Sequence, residues 1–205
     1  NYVAVMDRGF FSLGNLCELL DNKISFVMAA KLQLNDLKQL MTEAQKDIDD
    51  VKYLHKFNNE PIFAKPITYN IDNMEVRGYV YYDPKLEQNE KQTLLSRLYD
   101  IREELLKVRL KKNSSPQVAF KEKARGFGNF FEWNVVDNRF DVSIKQNAVT
   151  QRMNKMGKYI LFYSGDFDWL NCLSLYRERD EIEKSFKALK NEIDILPLNT
   201  HSEKT

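Results

Sequence analysis

The sequence YRERDEIEKSFKALK, which runs from Tyr176 to Lys190, decides how the rest of the chain is interpreted. If it forms an α-helix at about 100° per residue, Tyr176, Arg179, Glu183, Lys187 and Lys190 share one stripe about 80° wide. Apolar residues lie beside this stripe, at Leu175, Ile182, Phe186, Leu189 and Ile193. The pattern predicts an amphipathic helix that packs against a core by its apolar face. A surface helix with i,i+4 pairs such as Glu183 with Lys187 has the same pattern, so the stripe alone does not define a function.

The spacing within the stripe is more specific. Arg179 follows Tyr176 after three positions, Glu183 follows after four more, and Lys190 after a further seven. This arrangement resembles the Y-R-E-K signature of the cut-and-paste insertion-sequence transposases of the DDE class. The resemblance implies that Glu183 is the third metal-binding carboxylate. It also implies that Tyr176, Arg179 and Lys190 hold phosphates at the transposon end, with Lys187 as a further candidate DNA contact on the same stripe.

The start of the chain predicts a strand, a helix and a second strand. Tyr2–Met6 (YVAVM) and Ile24–Met28 (ISFVM) are apolar runs typical of buried strands, and Ser12 is a candidate N-cap for a Leu-rich helix between them. Strands joined in this way run parallel, and reactive groups in open α/β sheets lie at the carboxyl ends of strands. Asp7 directly follows the first strand and is therefore a candidate site residue, although carboxylates are common in such turns.

The segment VMDRGFFSLGNLCELL, which contains Asp7, resembles the region around the second catalytic Asp of the same transposases. The resemblance implies a two-metal mechanism of DNA strand cleavage and transfer, in which Asp7 and Glu183 bind two Mg²⁺ ions, or Mn²⁺ in their place. Carboxylate oxygens are the ligands that these hard ions prefer. None of the six residues before Asp7 is the first catalytic Asp of the family. We therefore expect a catalytic-domain fragment of a longer transposase, inactive by itself.

The predicted fold is α/β: a partial RNase-H-like catalytic core with a large mixed α+β insertion between the second and third carboxylates. Residues 1–30 and 158–205 are assigned to the core, and residues 31–157 to the insertion subdomain. Within the insertion, periodicity predicts long helices over 33–57 and 86–111, strands between 62 and 83, and a hairpin over 133–144. The apolar run Gly157–Tyr163 predicts a strand that returns to the core sheet.

Composition limits the function classes. The chain has 31 Lys and Arg against 30 Asp and Glu, so a DNA contact would need a local patch of positive charge. Two cysteines, Cys17 and Cys172, and two histidines do not predict a zinc cluster, and no apolar run approaches the ~20 residues of a membrane span. These features indicate a reduced cytosolic protein. The resemblance implies a bacterial or archaeal cytoplasmic protein that joins the nucleoid when DNA is bound, with DNA as its partner and a homodimer in the synaptic complex.

Two other classes of protein fit parts of the sequence. Another RNase-H-like nuclease would use the same carboxylates without the phosphate-binding residues Tyr176, Arg179 and Lys190. A non-catalytic interaction protein built on the two long predicted helices would need neither Asp7 nor Glu183. Convergence of Asp7 and Glu183 in the structure would favour a transposase or a nuclease over an interaction protein.

Overall fold

The computed structural model describes residues 2–71, 74–111 and 114–193, which contain eight strands and six α-helices. The strands are β1 (Ala4–Met6), β2 (Phe26–Ala29), β3 (Leu54–Phe57), β4 (Glu60–Ile71), β5 (Met74–Tyr82), β6 (Phe131–Val136), β7 (Arg139–Ile144) and β8 (Lys158–Ser164). The helices are α1 (Leu13–Asp21), α2 (Asn35–Ala44), α3 (Pro84–Leu106), α4 (Pro116–Ala124), α5 (Gln146–Met153) and α6 (Trp169–Ile193). The predicted mixed α/β class is therefore confirmed. None of the helices within these ranges combines the length and the apolar character needed to cross a membrane.

A mixed six-stranded sheet, in the order β1-β2-β8-β5-β4-β3, carries the predicted strand–helix–strand unit. β1 and β2 are parallel, with Ala4 opposite Phe26, as expected for strands joined through α1. β8 lies antiparallel to β2, with Phe26 opposite Ser164. All four residues of β2 and the central residues of β8 are buried, in agreement with their continuous apolar sequences. The prediction that the first strand and the Gly157–Tyr163 run share a sheet is confirmed.

The helix predicted over residues 33–57 is wrong in its second half. α2 ends at Ala44, and the chain then passes through turns and a short 3₁₀ helix, Val51–Tyr53, into β3. The aspartates at 47, 49 and 50 have low helix propensity because their side chains compete for backbone hydrogen bonds. Ile48 is buried whereas Val51 is 81% exposed, so the apolar spacing read as a helical face does not lie on one face. The second long helix is confirmed as α3, but it ends at Leu106, five residues before the predicted end at 111. The hairpin is confirmed by β6 and β7.

The chain divides into two compact units, and the division differs from the predicted boundaries. The first contains the described residues of 1–57, 63–81 and 159–205, and the second contains 58–62 and the described residues of 82–158. β3, β4 and β5, which were assigned to the insertion, instead extend the sheet that holds β1. Close packing accounts for this, because a Cβ on Gly78 of β5 would lie only 2.8 Å from the carbonyl oxygen of Leu161 in β8.

The second unit has its own hydrophobic core between α3 and the β6–β7 hairpin. Buried side chains of α3 at Leu94, Leu98, Ile101 and Leu105 recur every three or four residues, as one helix face requires. Opposite them, Trp133 and Phe140 meet edge to face with ring centroids 5.4 Å apart. The residues that complete the cluster are Phe120, Ala124, Phe130, Phe131, Val142, Val149 and Met156.

Candidate active site

Asp7 occupies the turn at the carboxyl end of β1. Its Oδ1 accepts a hydrogen bond of 2.6 Å from the backbone N–H of Gly9 and so caps the 3₁₀ helix Arg8–Phe10. This bond holds the side chain in one orientation, with 40% of its surface exposed. Lys31 follows β2 as Asp7 follows β1, and its Nζ donates to the carbonyl oxygen of Gly9 at 3.4 Å. The parallel strands therefore place one acidic and one basic side chain around the same turn.

α6 begins soon after β8 and packs along the same part of the sheet, against β1 and β2. Asp168 caps its first turn by accepting a hydrogen bond from the N–H of Asn171 at 2.7 Å, and Tyr81 in β5 donates to the carbonyl oxygen of Trp169 at 2.7 Å. Cys172 and Leu173 are fully buried and hold the first turns of the helix against the core. The helix thus passes the end of β1 where Asp7 lies.

Only part of the predicted apolar face of α6 is buried. Ile182 and Phe186 are 56% and 67% exposed, contrary to the expectation that they pack against a core. The physical reason is length. α6 has 25 residues and so extends about 37 Å, whereas β1 and β2 have three and four residues and extend no more than about 14 Å. Leu175 is half-buried, and the side chains of Leu189 and Ile193 lie outside the described part.

Asp7 and Glu183 converge on one nitrogen atom of Arg179. The Nη1 atom of Arg179 lies 3.8 Å from Oδ2 of Asp7 and 3.5 Å from Oε1 of Glu183. The two carboxylate oxygens are therefore no more than 7.3 Å apart, the sum of those distances. Glu183 reaches Arg179 from the next helical turn, and Asp7 reaches it from a strand end that is remote in the sequence. On the other side of the guanidinium, Nη2 hydrogen-bonds to Oδ1 of Asp180.

Arg179 is more enclosed than the sequence predicted. The phosphate-binding role implied by the resemblance requires an accessible side chain, but only 16% of the Arg179 side chain is exposed. Its Nε and Nη1 atoms are buried and have no hydrogen-bond acceptor. The guanidinium also lies over the ring of Tyr176, with Cζ 4.7 Å from the ring centroid. Burial lowers the pKa of Arg179, but the hydrogen bond to Asp180 and the nearby acidic groups outweigh burial, so the pKa is raised and the group stays charged.

Tyr176 links this arrangement to the sheet. Its ring stacks against that of Tyr159 in β8, with centroids 6.4 Å apart. Burial raises the pKa of Tyr176, so its hydroxyl keeps its proton and remains a hydrogen-bond donor at neutral pH. Lys187 and Lys190 belong to α6, but their side chains lie outside the described part of the chain. Of the predicted site residues, the structure thus brings together Asp7, Tyr176, Arg179 and Glu183.

The residues present fit a divalent cation in the type of ligand, and both carboxylates lie around one point, the Nη1 atom of Arg179. Asp7 and Glu183 offer carboxylate oxygens, and Mg²⁺ is commonly held by one or two carboxylates together with water and substrate phosphates. The described residues contain no group of three or more His, Cys, Asp or Glu side chains arranged to hold a metal. The cation that the two carboxylates share in this structure is the guanidinium of Arg179.

Sequence reasoning missed two charged residues at the site. Asp180 was overlooked because adjacent residues on a helix do not normally face each other, yet it bonds Arg179 directly. Lys31 could have been found from its position after the second apolar strand, since parallel neighbours end at the same edge of a sheet.

Comparisons of the chain with protein-family models, with curated proteins and with solved structures give no significant match.

Proposed function

We propose that the chain is part of the catalytic domain of a DDE transposase, with an RNase-H-like core that cleaves and joins DNA at transposon ends. The observation that carries the proposal is the convergence of Asp7 and Glu183 on Arg179 Nη1. Two carboxylates at opposite ends of the sequence approach this closely only if the fold brings them together. A non-catalytic interaction protein has no need of that convergence.

In the proposed mechanism, Asp7 acts from the rigid turn after β1 and Glu183 acts from α6. Their oxygens would hold Mg²⁺ or Mn²⁺, and bound divalent ions supply activation of the attacking oxygen and stabilisation of the leaving oxygen. Tyr176 is a protonated donor suited to a phosphate oxygen, and Lys187 and Lys190 would add charge along the same helix stripe. The same resemblance implies that the complete catalytic centre has a further Asp besides Asp7 and Glu183. The proposal is therefore tested on these 205 residues by metal binding and DNA binding, and not by DNA cleavage. The partner would be DNA, bound by a homodimer in the cytoplasm of a bacterium or archaeon.

Metal binding tests the role of the carboxylates. Electron paramagnetic resonance titration with Mn²⁺ should show a site in the unaltered chain that Asp7→Asn and Glu183→Gln each weaken at least tenfold. Glu181→Gln is the matched control, because Glu181 is an exposed carboxylate on the same helix. If Asp7→Asn and Glu183→Gln bind Mn²⁺ as well as Glu181→Gln does, these residues are not metal ligands and the proposal is wrong.

DNA binding tests whether the charged stripe of α6 contacts phosphates. A duplex of arbitrary sequence is sufficient, because phosphate contacts carry no sequence information. Lys187→Ala and Lys190→Ala should each lower the slope of log K against log salt concentration by about one, whereas Lys184→Ala, an exposed residue of α6, should not. Glu183→Gln should bind DNA at least as tightly as the unaltered chain. Equal slopes for all three lysine variants would contradict the assignment of this helix to DNA.

A further inference from the structure

The charges at the candidate site are distributed unevenly with respect to solvent. Asp7, Asp180 and Glu183 keep 40%, 31% and 46% of their side-chain surfaces exposed, whereas the side chain of Arg179 keeps 16%. The most enclosed charged group is therefore the cation. Its Nη1 atom is buried and has no hydrogen-bond acceptor. It lies within 4 Å of one oxygen of Asp7 and one oxygen of Glu183.

Three carboxylates, those of Asp7, Asp180 and Glu183, lie around the one guanidinium of Arg179. Like charges brought together by the fold are unfavourable unless a cation lies between them. Arg179 supplies that cation for Asp7 and Glu183 at distances of 3.8 and 3.5 Å. Both distances are longer than a good charge-assisted hydrogen bond of about 2.7–2.9 Å. The guanidinium therefore offsets the charge of the two carboxylates without forming a short hydrogen bond to either of them.

We propose that Arg179 is an internal counter-cation, which occupies the place between Asp7 and Glu183 in the metal-free protein and is displaced when a divalent cation binds there. This inference rests on the proposed function, since it concerns the same two carboxylates. It adds that metal loading is opposed by a residue of the site itself.

Displacement is favoured over joint occupancy because a divalent ion and the guanidinium would repel each other. Mg²⁺ lies about 2.0–2.1 Å from its oxygen ligands, so an ion shared by both carboxylates needs their oxygens within roughly 4 Å of each other. Nη1 lies within 4 Å of both oxygens, and the guanidinium is positively charged, as the metal ion is. The displaced side chain keeps two partners, because Nη2 bonds Asp180 and the guanidinium rests on the Tyr176 ring. Loading would therefore leave Nη1 available to another anion, such as a DNA phosphate, and the two binding events would favour each other.

The test compares Mn²⁺ binding by Arg179→Met and by Lys184→Met in the 205-residue chain. Both variants remove one positive charge from α6, but Lys184 is exposed and has no role in the cluster. We expect Arg179→Met to bind Mn²⁺ at least tenfold more tightly than the unaltered chain in paramagnetic resonance titrations, and Lys184→Met to differ by less than twofold. Melting temperature gives a second readout. Arg179→Met should melt lower than the unaltered chain in EDTA, and Mn²⁺ should raise its melting temperature by more than it raises that of the unaltered chain.

The possible outcomes separate the inference from the function on which it rests. If the unaltered chain binds Mn²⁺ through Asp7 and Glu183 but Arg179→Met binds no more tightly, Arg179 does not compete with metal, and only the inference is overturned. If neither protein binds Mn²⁺, the proposed metal site is wrong, and the inference is overturned with it. Should Arg179→Met fail to fold, Arg179→Lys keeps the charge on a shorter side chain and should bind Mn²⁺ more tightly than the unaltered chain. Unchanged affinity in Arg179→Lys would then overturn the inference.

Discussion

The guanidinium of Arg179 stacks on the ring of Tyr176, which in turn stacks on Tyr159 of β8. This series of contacts joins a charged residue of the candidate site to the centre of the sheet. Arg179 therefore contributes to the stability of the fold as well as to the electrostatics of the site.

Replacing Arg179 should destabilise the protein. Arg179→Ala removes the packing on Tyr176 and leaves Asp7, Asp180 and Glu183 without their shared cation, so the free energy of unfolding should fall by about 1–3 kcal/mol. Denaturant titration in EDTA measures this change. Lys184→Ala, at an exposed position of the same helix, should stay within about 0.5 kcal/mol of the unaltered chain. Equal stabilities for the two variants would show that the enclosed guanidinium contributes nothing to the fold.

Gly157 should not tolerate a side chain. Its φ angle is +68°, and an added Cβ would lie 2.5 Å from Cβ of Glu87 and 2.7 Å from the carbonyl oxygen of Asp83. Gly157→Ala should lower the free energy of unfolding by about 2–4 kcal/mol, since it combines backbone strain with overpacking. The control is Gly14→Ala in α1, where an added Cβ meets nothing within 4 Å. That variant should be stabilised by roughly 0.5–1 kcal/mol through the better helix propensity of alanine, and thermal melting distinguishes the two directions.

The two cysteines should differ in reactivity. Cys172 is fully buried, and burial raises the pKa of its thiol to about 12, so very little thiolate is present at neutral pH. Cys17 is half-buried on α1. In the native protein a thiol reagent such as iodoacetamide should modify Cys17 first, and Cys172 should react only after denaturation. Peptide mapping by mass spectrometry identifies the modified residue, and early labelling of Cys172 would contradict its burial.

Asp47 should make stability depend on acid pH. Its hydrogen bond to Lys65 lowers the pKa of Asp47 below its ordinary value of 3.8, against a smaller opposing effect of burial. A carboxyl whose pKa is lower in the folded state stabilises the fold above the unfolded-state value, and this stabilisation is lost as pH falls through the folded-state value. Asp47→Asn should therefore lose less stability than the unaltered chain below about pH 4. Asp49→Asn, which changes an exposed carboxylate nearby, should follow the unaltered chain in pH-dependent melting.

Elements specified by local sequence were predictable. The apolar runs of β1, β2 and β8, the Ser12 cap of α1 and the long periodic helix α3 all depend on near neighbours in the chain. The end of α2 was missed because the apolar spacing continues through the aspartates that stop the helix. The place of β5 in the first sheet could not be predicted, because it depends on the close approach of Gly78 to β8.

At the candidate site, the spacing of residues predicted which side chains share one stripe of α6, but it did not predict how they are paired. The enclosure of Arg179 depends on where α6 passes the end of β1, a tertiary relationship that no helical repeat encodes. The same limit explains why Asp180 was not considered, because its contact with Arg179 depends on side-chain rotamers within one turn.

The position of β8 between β2 and β5 has a consequence for the order of folding. Phe26 in β2 pairs with Ser164 in β8, across more than a hundred intervening residues, so a ribosome makes β2 and β5 long before it makes the strand that joins them. Until then both strands have an unpaired edge, and such edges are open to association with other chains. The second unit, whose contacts lie within residues 58–62 and 82–158, is complete in sequence before β8 is finished. We expect it to form first, and closure of the sheet by β8 to be the slow, late step of folding.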